Sequence, residues 1–340
     1  MNHLLTPFNK PIYTLLIICC WLSISSSVYA QHGENLLPKP QQIEVKKGSF
    51  RLDRVSLCTP VLTEMLTHML TEWGGIIDEK ASAVINVKLV PSLGVSLNSN
   101  EAYRLCIQNR SIQIEAETES GVFYAFQTLR QLSYPHGKHT QFPNCEITDW
   151  PAFRVRGFMQ DIGRGYYSID ELKREIDMLS RFKINVFHWH LTENQAWRLE
   201  SKVFPMLNDS IHMTRLPGKY YTLAEARDLV DYCKERKVLL IPEIDMPGHS
   251  AAFVRCFRHD MQSREGMKIL KLLVEEVCET FDVPYLHIGT DEVEFKNPAF
   301  VKEMVAFVRS QGKKVISWNP GCLIIYYLYA NSLNIKKEER

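Results

Sequence analysis

The chain has 340 residues, of which 45% are apolar and 23% charged, a composition typical of a globular protein with room for two domains. Disordered, collagen-like and multi-span membrane proteins are excluded. Forty basic against 39 acidic residues give a formal charge of +1, so no overall field favours nucleic acid or another polyanion as a partner.

Residues 1–30 have the pattern of a secretory signal peptide. Lys10 precedes an apolar run, and a small-residue site ending at Ala30 closes it. The run has about thirteen residues, whereas a membrane-spanning helix needs ~20. We therefore expect cleavage near Ala30, export to the periplasm or outside the cell, and no membrane span. A lipid anchor at Cys19 or Cys20 is the less favoured alternative.

Seven cysteines follow this segment, and they are scattered without a C-x-x-C pair. An odd, scattered set argues against both a zinc site and a disulfide scaffold. We expect most of them to be small core residues, while export would permit one or two disulfides. No metal ion and no cofactor is predicted.

Residues 31–150 have the pattern of a small α+β domain. The runs 103–107 and 111–115 alternate apolar and polar residues on either side of an Asn-Arg turn, which predicts a hairpin. Between 121 and 132 apolar residues recur at helical spacing, which predicts an amphipathic helix packed on that sheet. No cluster of charged or metal-binding residues stands out, so we interpret this domain as a structural or docking module.

From 151 to 340 apolar strands alternate with helices, which indicates a parallel sheet with crossover helices. Five strands are predicted, at 156–162, 184–191, 238–244, 285–289 and 314–318. Repeated βα units of this kind predict a TIM-type (β/α)8 barrel, whose active site lies where the strands end.

Two of the predicted helices begin with a capping box. The helix 169–182 has Ser168 as its N-cap with Glu171 three residues later, and the helix 223–236 has Thr222 with Glu225. In the first helix Leu172, Ile176 and Leu179 form the stripe expected to be buried.

Polar residues follow every predicted strand. They are Asp161 to Arg164, His188 to Asn194, Glu243 to His249, His287 to Glu292, and Trp318 with Asn319. One polar strand end is commonly structural, but five of them meet at one mouth of a barrel. This arrangement predicts a functional site there.

Four of these segments resemble the strand-end motifs of the family 20 glycoside hydrolases, the β-N-acetylhexosaminidases: RGFMQDIGR, KINVFHWHLTENQAWRLE, IPEIDMPGHSAAF and HIGTDEVEF. The resemblance runs from about Leu37, through a domain similar to the family's accessory domain with GVFYAFQTL, to about Gly321. It implies exo-acting removal of terminal β-linked N-acetylhexosamine with retention, in which the substrate's own 2-acetamido oxygen replaces an enzyme nucleophile. Glycans ending in N-acetylglucosamine or N-acetylgalactosamine are the implied partners.

The resemblance assigns the catalytic roles to two adjacent carboxylates. Glu292 would be the general acid and later the base, with a pKa raised by burial. Asp291 would accept a hydrogen bond from the acetamido N–H and balance the charge of the oxazolinium intermediate. Because neighbouring strand residues face opposite sides, both can serve one sugar only if the chain leaves the strand there.

The resemblance also assigns substrate-binding residues. Arg164 would clamp ring hydroxyls at the non-reducing end, and Trp318 would form a wall of the acetamido pocket. His249 would position the acid while a carboxylate holds it in turn. Its partner would be Glu193, followed by Asn194, where relatives often carry two Asp.

Further residues are expected around these groups. His190 and Asp245 stand at the same strand ends and would support the residues that contact substrate. Thr290 occupies a position that is commonly glycine in relatives of this kind. A β-branched residue there is tolerable but not neutral.

The predicted barrel is shorter than a complete one. From Arg154 to Arg340 there are 187 residues, whereas a whole barrel takes ~250. After Gly321 the apolar run from Cys322 to Ala330 and a charged tail match no segment of the family. We therefore expect a truncated barrel of about five strands, with its first and fifth strands at open edges and activity reduced or lost.

Two other functions remain open. A metal-dependent amidohydrolase would use His188 and His190, which share one face of a strand, as ligands, and metal analysis would identify it. A non-catalytic sugar-binding remnant would bind sugar without turnover. The preference between gluco- and galacto-configured sugars and the oligomeric state are not encoded in any motif of the sequence.

Overall fold

The computed structural model describes residues 35–318, which divide into two compact units, one ending at Arg154 and the other beginning at Val155. The predicted signal peptide, Asn319 and the run from Cys322 to Ala330 lie outside the described residues. Within 35–318 no helix has the length and apolar character needed to cross a membrane.

The first unit is an eight-stranded sheet with two helices. Its strands are β1 (Gln42–Leu52), β2 (Arg54–Cys58), β3 (Ile76–Ile77), β4 (Ala83–Leu89), β5 (Tyr103–Gln108), β6 (Ser111–Ala116), β7 (Tyr134–His136) and β8 (His139–Asp149), and its helices are α1 (Thr63–Glu72) and α2 (Glu119–Leu132). The strand order is β1-β8-β5-β6-β4-β2-β3, with β7 paired to β8. The expected small α+β fold is confirmed.

The predicted hairpin and helix of this unit are both present. Strands β5 and β6 pair antiparallel across the Asn-Arg turn. Helix α2 buries Val122, Ala125 and Phe126 as its apolar spacing indicates. Because Phe123 and Tyr124 are also buried, α2 is enclosed on more than the one face that an amphipathic pattern predicts.

The second unit alternates strands and helices. Its strands are β9 (Gly157–Asp161), β10 (Val186–His190), β11 (Leu239–Glu243), β12 (Tyr285–His287) and β13 (Lys314–Ile316), and its helices are α3 (Ile169–Arg181), α4 (Leu223–Glu235), α5 (Ala251–Phe257), α6 (Arg264–Thr280) and α7 (Phe300–Ser310). The strands form one parallel sheet in the order β13-β12-β11-β10-β9. All five strands confirm the predictions, and each is shorter than predicted by two or three residues.

Both predicted capping boxes are formed. The Ser168 hydroxyl accepts the Glu171 backbone N–H at the start of α3, and the Glu171 carboxylate accepts the Ser168 backbone N–H. Thr222 and Glu225 make the same reciprocal pair at α4. These bonds satisfy backbone donors that a helix leaves free in its first turn. The two helices therefore begin at the residues that the sequence indicates.

The register of the sheet brings the strand ends to one level. His190 pairs with Asp161 on one side and with Glu243 on the other, and Glu243 pairs with His287. Paired positions of neighbouring strands present their side chains on the same face of a sheet. A row of polar side chains therefore crosses four strands at their carboxyl ends.

Candidate active site

The loops after β9 and β10 meet at Gly163. A Cβ at this glycine would stand 2.6 Å from the Cβ of Glu193, so only glycine permits this approach. Arg164, the next residue, places Nη1 2.6 Å from the Asp161 carboxylate and forms an ion pair with Glu193 through Nη2. The guanidinium predicted to bind substrate is thus held by two carboxylates, with its side chain 47% exposed.

A line of charged groups connects these loops to the predicted acid. His249 Nδ1 lies 2.5 Å from Glu193 Oε1, and His249 Nε2 lies 3.4 Å from Glu292 Oε2. Glu193 is buried, so its charge acts on His249 and Arg164 through little solvent. The structure therefore brings together Glu193 and His249, the pair that the family resemblance implies.

The chain leaves strand β12 just before the two adjacent carboxylates. Gly289, Thr290 and Glu292 have φ of 64°, 83° and 50°, so the backbone turns at each of them. This turn sends the two side chains in directions that a continuing strand would not allow. Asp291 lies close to Asp245 and His249. A carboxylate oxygen of each Asp and a ring nitrogen of His249 lie within 4.8 Å of one another.

The expected burial of Glu292 is wrong. Its side chain is 75% exposed, because it extends from the turn beyond the end of the sheet. Of the two carboxylates, Asp291 is the partly buried one, and its Oδ1 receives no hydrogen bond from any residue between 35 and 318.

Asp245 is enclosed beneath this turn. Its Oδ1 accepts the Thr290 backbone N–H at 3.3 Å, and its own N–H donates to the Thr192 hydroxyl at 3.0 Å. A Cβ at Gly289 would lie 1.6 Å from Asp245 Oδ1, so a side chain at that position would expel the carboxylate. Glycine is therefore required at 289 by its close approach as well as by its positive φ.

Glu243 and His287 are two members of the site that the sequence interpretation did not assign. Glu243 Oε2 lies 2.7 Å from His190 Nδ1 and 2.8 Å from His188 Nε2. Its Oε1 lies 3.0 Å from His287 Nδ1 and accepts the Trp318 indole N–H at 2.9 Å. Both residues end their strands at the level of His190, so strand-end position combined with register was the signal that could have identified them.

The buried carboxylates differ in protonation. Burial alone would raise the pKa of Glu243, but the three imidazoles that face it outweigh burial and hold the pKa well below its usual range. Burial and the negative charge of Glu243 raise the pKa of Asp245 to about 7. Burial would lower the pKa of His190, but Glu243 raises it, whereas burial lowers the pKa of His287.

Trp318 closes the row on the side of β13. Its backbone N–H donates to the Gly289 carbonyl at 2.9 Å. Its ring lies 4.7 Å from the His287 ring and 5.3 Å from the His188 ring, measured between centroids. The indole therefore lies against two imidazoles while its N–H is held by Glu243.

Three overlapping sets of side chains have the composition of a metal site. Their ligand atoms lie within 4.8 Å of one another in His188, Glu243 and His287, in His190, Glu243 and Asp245, and in Asp245, His249 and Asp291. In the first two sets the imidazole nitrogens already face Glu243 at close range. Glu243 is hydrogen-bonded to His190 Nδ1 and to the Trp318 indole N–H without an ion.

Family models match most of the described chain. The model described as glycosyl hydrolase family 20, domain 2 covers residues 34–150, and that of the glycosyl hydrolase family 20 catalytic domain covers 153–263. The second segment includes Arg164, Glu193 and His249. Asp291 and Glu292 lie beyond it.

The curated relatives that the chain resembles include two bacterial β-hexosaminidases. A β-hexosaminidase of Porphyromonas gingivalis is 31% identical, with 81% of this chain and 42% of the relative aligned. A β-hexosaminidase of Vibrio furnissii is 33% identical, with 76% of this chain and 49% of the relative aligned. The chain thus spans about half the length of the curated relatives it matches.

Solved structures extend the likeness beyond the matched segments. The family 20 exo-β-N-acetylglucosaminidase of Vibrio harveyi, in complex with N-acetylglucosamine, is similar with a TM-score of 0.71 and 27% identity over 84% of this chain and 55% of that one. The β-N-acetylhexosaminidase of Bacteroides fragilis gives a TM-score of 0.71 and 26% identity over 83% and 65%. The chain belongs to glycosyl hydrolase family 20.

Proposed function

We propose that this chain is an exo-acting glycoside hydrolase that removes terminal β-linked N-acetylhexosamine by substrate-assisted, retaining catalysis. The observation that carries the proposal is the turn after β12, which places Asp291 against Asp245 and His249 and places Glu292 beside His249. The two adjacent carboxylates can act on one sugar because neither has to be the nucleophile. The substrate's own acetamido oxygen takes that role.

Glu292 is the proton donor in this proposal. It protonates the glycosidic oxygen as the C1–O bond breaks, and the substrate's acetamido oxygen attacks C1 to form an oxazolinium ion. Glu292 then takes a proton from the water that opens this ion. His249, 3.4 Å away and itself held by Glu193, fixes the Glu292 carboxylate on an otherwise exposed turn.

Asp291 orients the acetamido group. Its Oδ1 is an acceptor without a donor among the described residues, and an incoming N–H would satisfy it. The positive charge of the oxazolinium ion forms beside this carboxylate and is stabilised by it. Arg164 binds hydroxyls at the non-reducing end through its exposed guanidinium, and Trp318 packs against the acetamido methyl.

The proposal is tested by release of 4-nitrophenol from 4-nitrophenyl N-acetyl-β-glucosaminide and N-acetyl-β-galactosaminide by the purified chain. We expect release from at least one of them, none from the β-glucoside that lacks the acetamido group, and the β-anomer as first product. Loss of a general acid or of the oriented acetamido group costs on the order of 10²–10⁴-fold in kcat.

Glu292→Gln and Asp291→Asn are expected to show this loss. Glu294→Gln is the matched control, because Glu294 is an exposed glutamate of the same turn. It contacts Gln262 through its backbone carbonyl, which the substitution leaves in place. Turnover that is equal in all four proteins would contradict the proposal. Binding of N-acetylglucosamine without any turnover would instead identify a sugar-binding remnant.

We also propose that the chain is exported. The support is the pattern of residues 1–30, with Lys10 before an apolar run that ends in the small-residue site at Ala30. N-terminal sequencing of the protein made in a secreting bacterial host should begin at Gln31. A mature protein that retains Met1 would contradict export through this segment.

A further inference from the structure

Glu243 is a fully buried carboxylate to which the mechanism above gives no task. Four ring groups converge on its two oxygens. His188 and His190 face Oε2 at 2.8 and 2.7 Å, whereas His287 and Trp318 face Oε1 at 3.0 and 2.9 Å. Taking a carboxylate out of water costs several kcal/mol unless the groups around it compensate. The four ring groups around Glu243 supply this compensation.

The sheet explains why these four rings meet there. His188 and His190 are two residues apart on β10 and so share a face, and Glu243 and His287 are paired at the ends of β11 and β12. Trp318 lies two residues after Ile316, the partner of His287 on β13. One carboxylate on β11 thereby contacts side chains from β10, from β12 and from just beyond β13.

The contact with Trp318 connects Glu243 to the residue that the proposed function places against the acetamido group. An indole has a single hydrogen-bond donor, so a bond to Nε1 fixes both the position and the tilt of the ring. The His188 and His287 rings lie 5.3 and 4.7 Å from the Trp318 ring, and a nitrogen of each lies within 3.0 Å of a Glu243 oxygen. The three imidazoles keep the pKa of Glu243 far below its usual range, so an ionised acceptor faces the indole at all ordinary pH values.

We infer that Glu243 is the positioning residue that fixes the plane of the Trp318 ring and thereby limits the size of the N-acyl group that the site accepts. This inference rests on the proposed function, because only there does Trp318 pack against the acetamido methyl. Glu243 itself touches no substrate. It acts through the indole and through the imidazoles packed on it.

Acyl selectivity is the kinetic test. A rigid wall rejects one extra methylene by ~10–200-fold, so the wild-type chain should prefer the N-acetyl over the N-propionyl 4-nitrophenyl glucosaminide in kcat/KM. Glu243→Gln weakens the hold on the rings, and Trp318→Phe keeps an aromatic ring without its donor. Each should lower the N-acetyl preference about tenfold, and adding Glu243→Gln to Trp318→Phe should lower it no further, since both changes remove one interaction.

A matched variant separates positioning from stability. Glu276 is a buried glutamate of the same unit whose carboxylate accepts the backbone N–H groups of Lys202 and Val203. Glu276→Gln should lower the urea midpoint and leave the acyl preference unchanged. Equal acyl preference in wild type, Glu243→Gln and Trp318→Phe would overturn the inference, as would additive effects of the two changes.

A second measurement does not require turnover, so failure of the proposed function and failure of this inference are distinguishable. The near-ultraviolet circular dichroism of wild type minus that of Trp318→Phe gives the signal of a fixed Trp318 ring. Glu243→Gln should lose that near-ultraviolet signal while its far-ultraviolet spectrum stays that of the wild type. Glu276→Gln should keep the near-ultraviolet signal. Persistence of the signal in Glu243→Gln would overturn the inference. Stoichiometric binding of zinc ion by the wild type, abolished in Glu243→Gln, would also overturn it, because the carboxylate and the imidazoles would then be metal ligands.

Discussion

At residue 290 the backbone adopts a conformation that its side chain opposes. Thr290 has φ of 83°, a region that β-branched residues avoid, and its buried Oγ1 has no hydrogen-bond partner among the described residues. Thr290→Gly should therefore raise the free energy of unfolding by about 1 kcal/mol, because relief of the left-handed strain exceeds the entropy that glycine adds to the unfolded chain. Urea unfolding followed by circular dichroism measures this change.

Thr290→Ala serves as its control. Alanine removes the unpaired hydroxyl but keeps a Cβ at positive φ, so it should recover only part of the gain. A glycine variant less stable than wild type would show that the turn is not strained.

Asp245 predicts a pH dependence of stability. Its pKa is raised from 3.8 to about 7 by burial and by the charge of Glu243, with Asp291 adding to the rise and His249 and His190 opposing it. Between these two values the unfolded chain releases a proton that the folded chain keeps, so this group's contribution to stability falls as pH rises from about 4 to 7. Asp245→Asn resembles the protonated form and should escape this fall.

Urea midpoints of wild type and Asp245→Asn at pH 5 and pH 8 measure the effect. The urea midpoint of the variant should rise relative to that of wild type from pH 5 to pH 8. Other titrating groups contribute equally to both proteins and cancel in this difference. A difference between the proteins that stays constant with pH would show that Asp245 is ionised in the folded state throughout this range.

Glu193 supplies a prediction for activity. One buried carboxylate faces both His249 and Arg164, so Glu193→Gln removes the charge that holds both groups. We expect a loss of about 10²-fold in kcat, measured on the N-acetyl-β-glucosaminide. Glu200→Gln is the control, since Glu200 accepts the Leu223 backbone N–H and should affect stability alone. Equal losses in the two variants would contradict a role for Glu193 at the active site.

Individual side chains show what the sequence could and could not predict. The pairing of Glu193 with His249 was expected from the family resemblance, and the structure forms it. Glu243 and His287 were not assigned, because a strand-end residue reveals its partners only when the register of neighbouring strands is known. The burial expected around Glu292 is wrong, because exposure of a turn depends on what packs above it and not on its own sequence.

Among the elements of the second unit, the long connection between β10 and α4 depends on one buried cation. Arg198 donates to the backbone carbonyls of Ile162, Arg215, Leu216 and Lys219 and to the sulfur of Met213. Arg198→Met should destabilise the chain by roughly 3 kcal/mol, because one buried and three partly buried carbonyls lose their donor. Trypsin should then cut faster after Arg215 and Lys219, as mass spectrometry of timed digests will show.

Arg227→Met is the matched control, because Arg227 is an exposed arginine of α4. It should leave both the urea midpoint and the rate of tryptic cleavage after Arg215 unchanged. Equal cleavage rates in Arg198→Met and wild type would show that the connection is held by its other contacts.

The elements themselves were largely predictable because their signals are local. Capping boxes at Ser168 and Thr222 act within one helical turn, and both form. Helix α2 was only partly predictable, since its burial on further sides is decided by strands distant in sequence. The contacts of Arg198 were equally invisible, because its acceptors are backbone atoms that any sequence could supply.

At the scale of the whole molecule, the five-stranded sheet of the described residues has two edge strands, β9 and β13. In the described part of the chain β9 pairs only with β10 and β13 only with β12. Phe158 and Met159 on β9 are each 38% exposed. A strand edge with free backbone groups and apolar side chains favours pairing with another chain.

We therefore expect concentration-dependent self-association through β9. Phe158→Lys should reduce it, because a charged side chain on an edge strand must be desolvated when a second strand pairs there. Sedimentation velocity over a range of protein concentrations measures the change. Leu272→Lys is the control, since Leu272 is 45% exposed on helix α6 and offers no strand edge. Lysine adds the same charge in both variants, so a general gain in solubility would reduce association equally in the two. If association occurs through β9, Phe158→Lys should reduce it and Leu272→Lys should not.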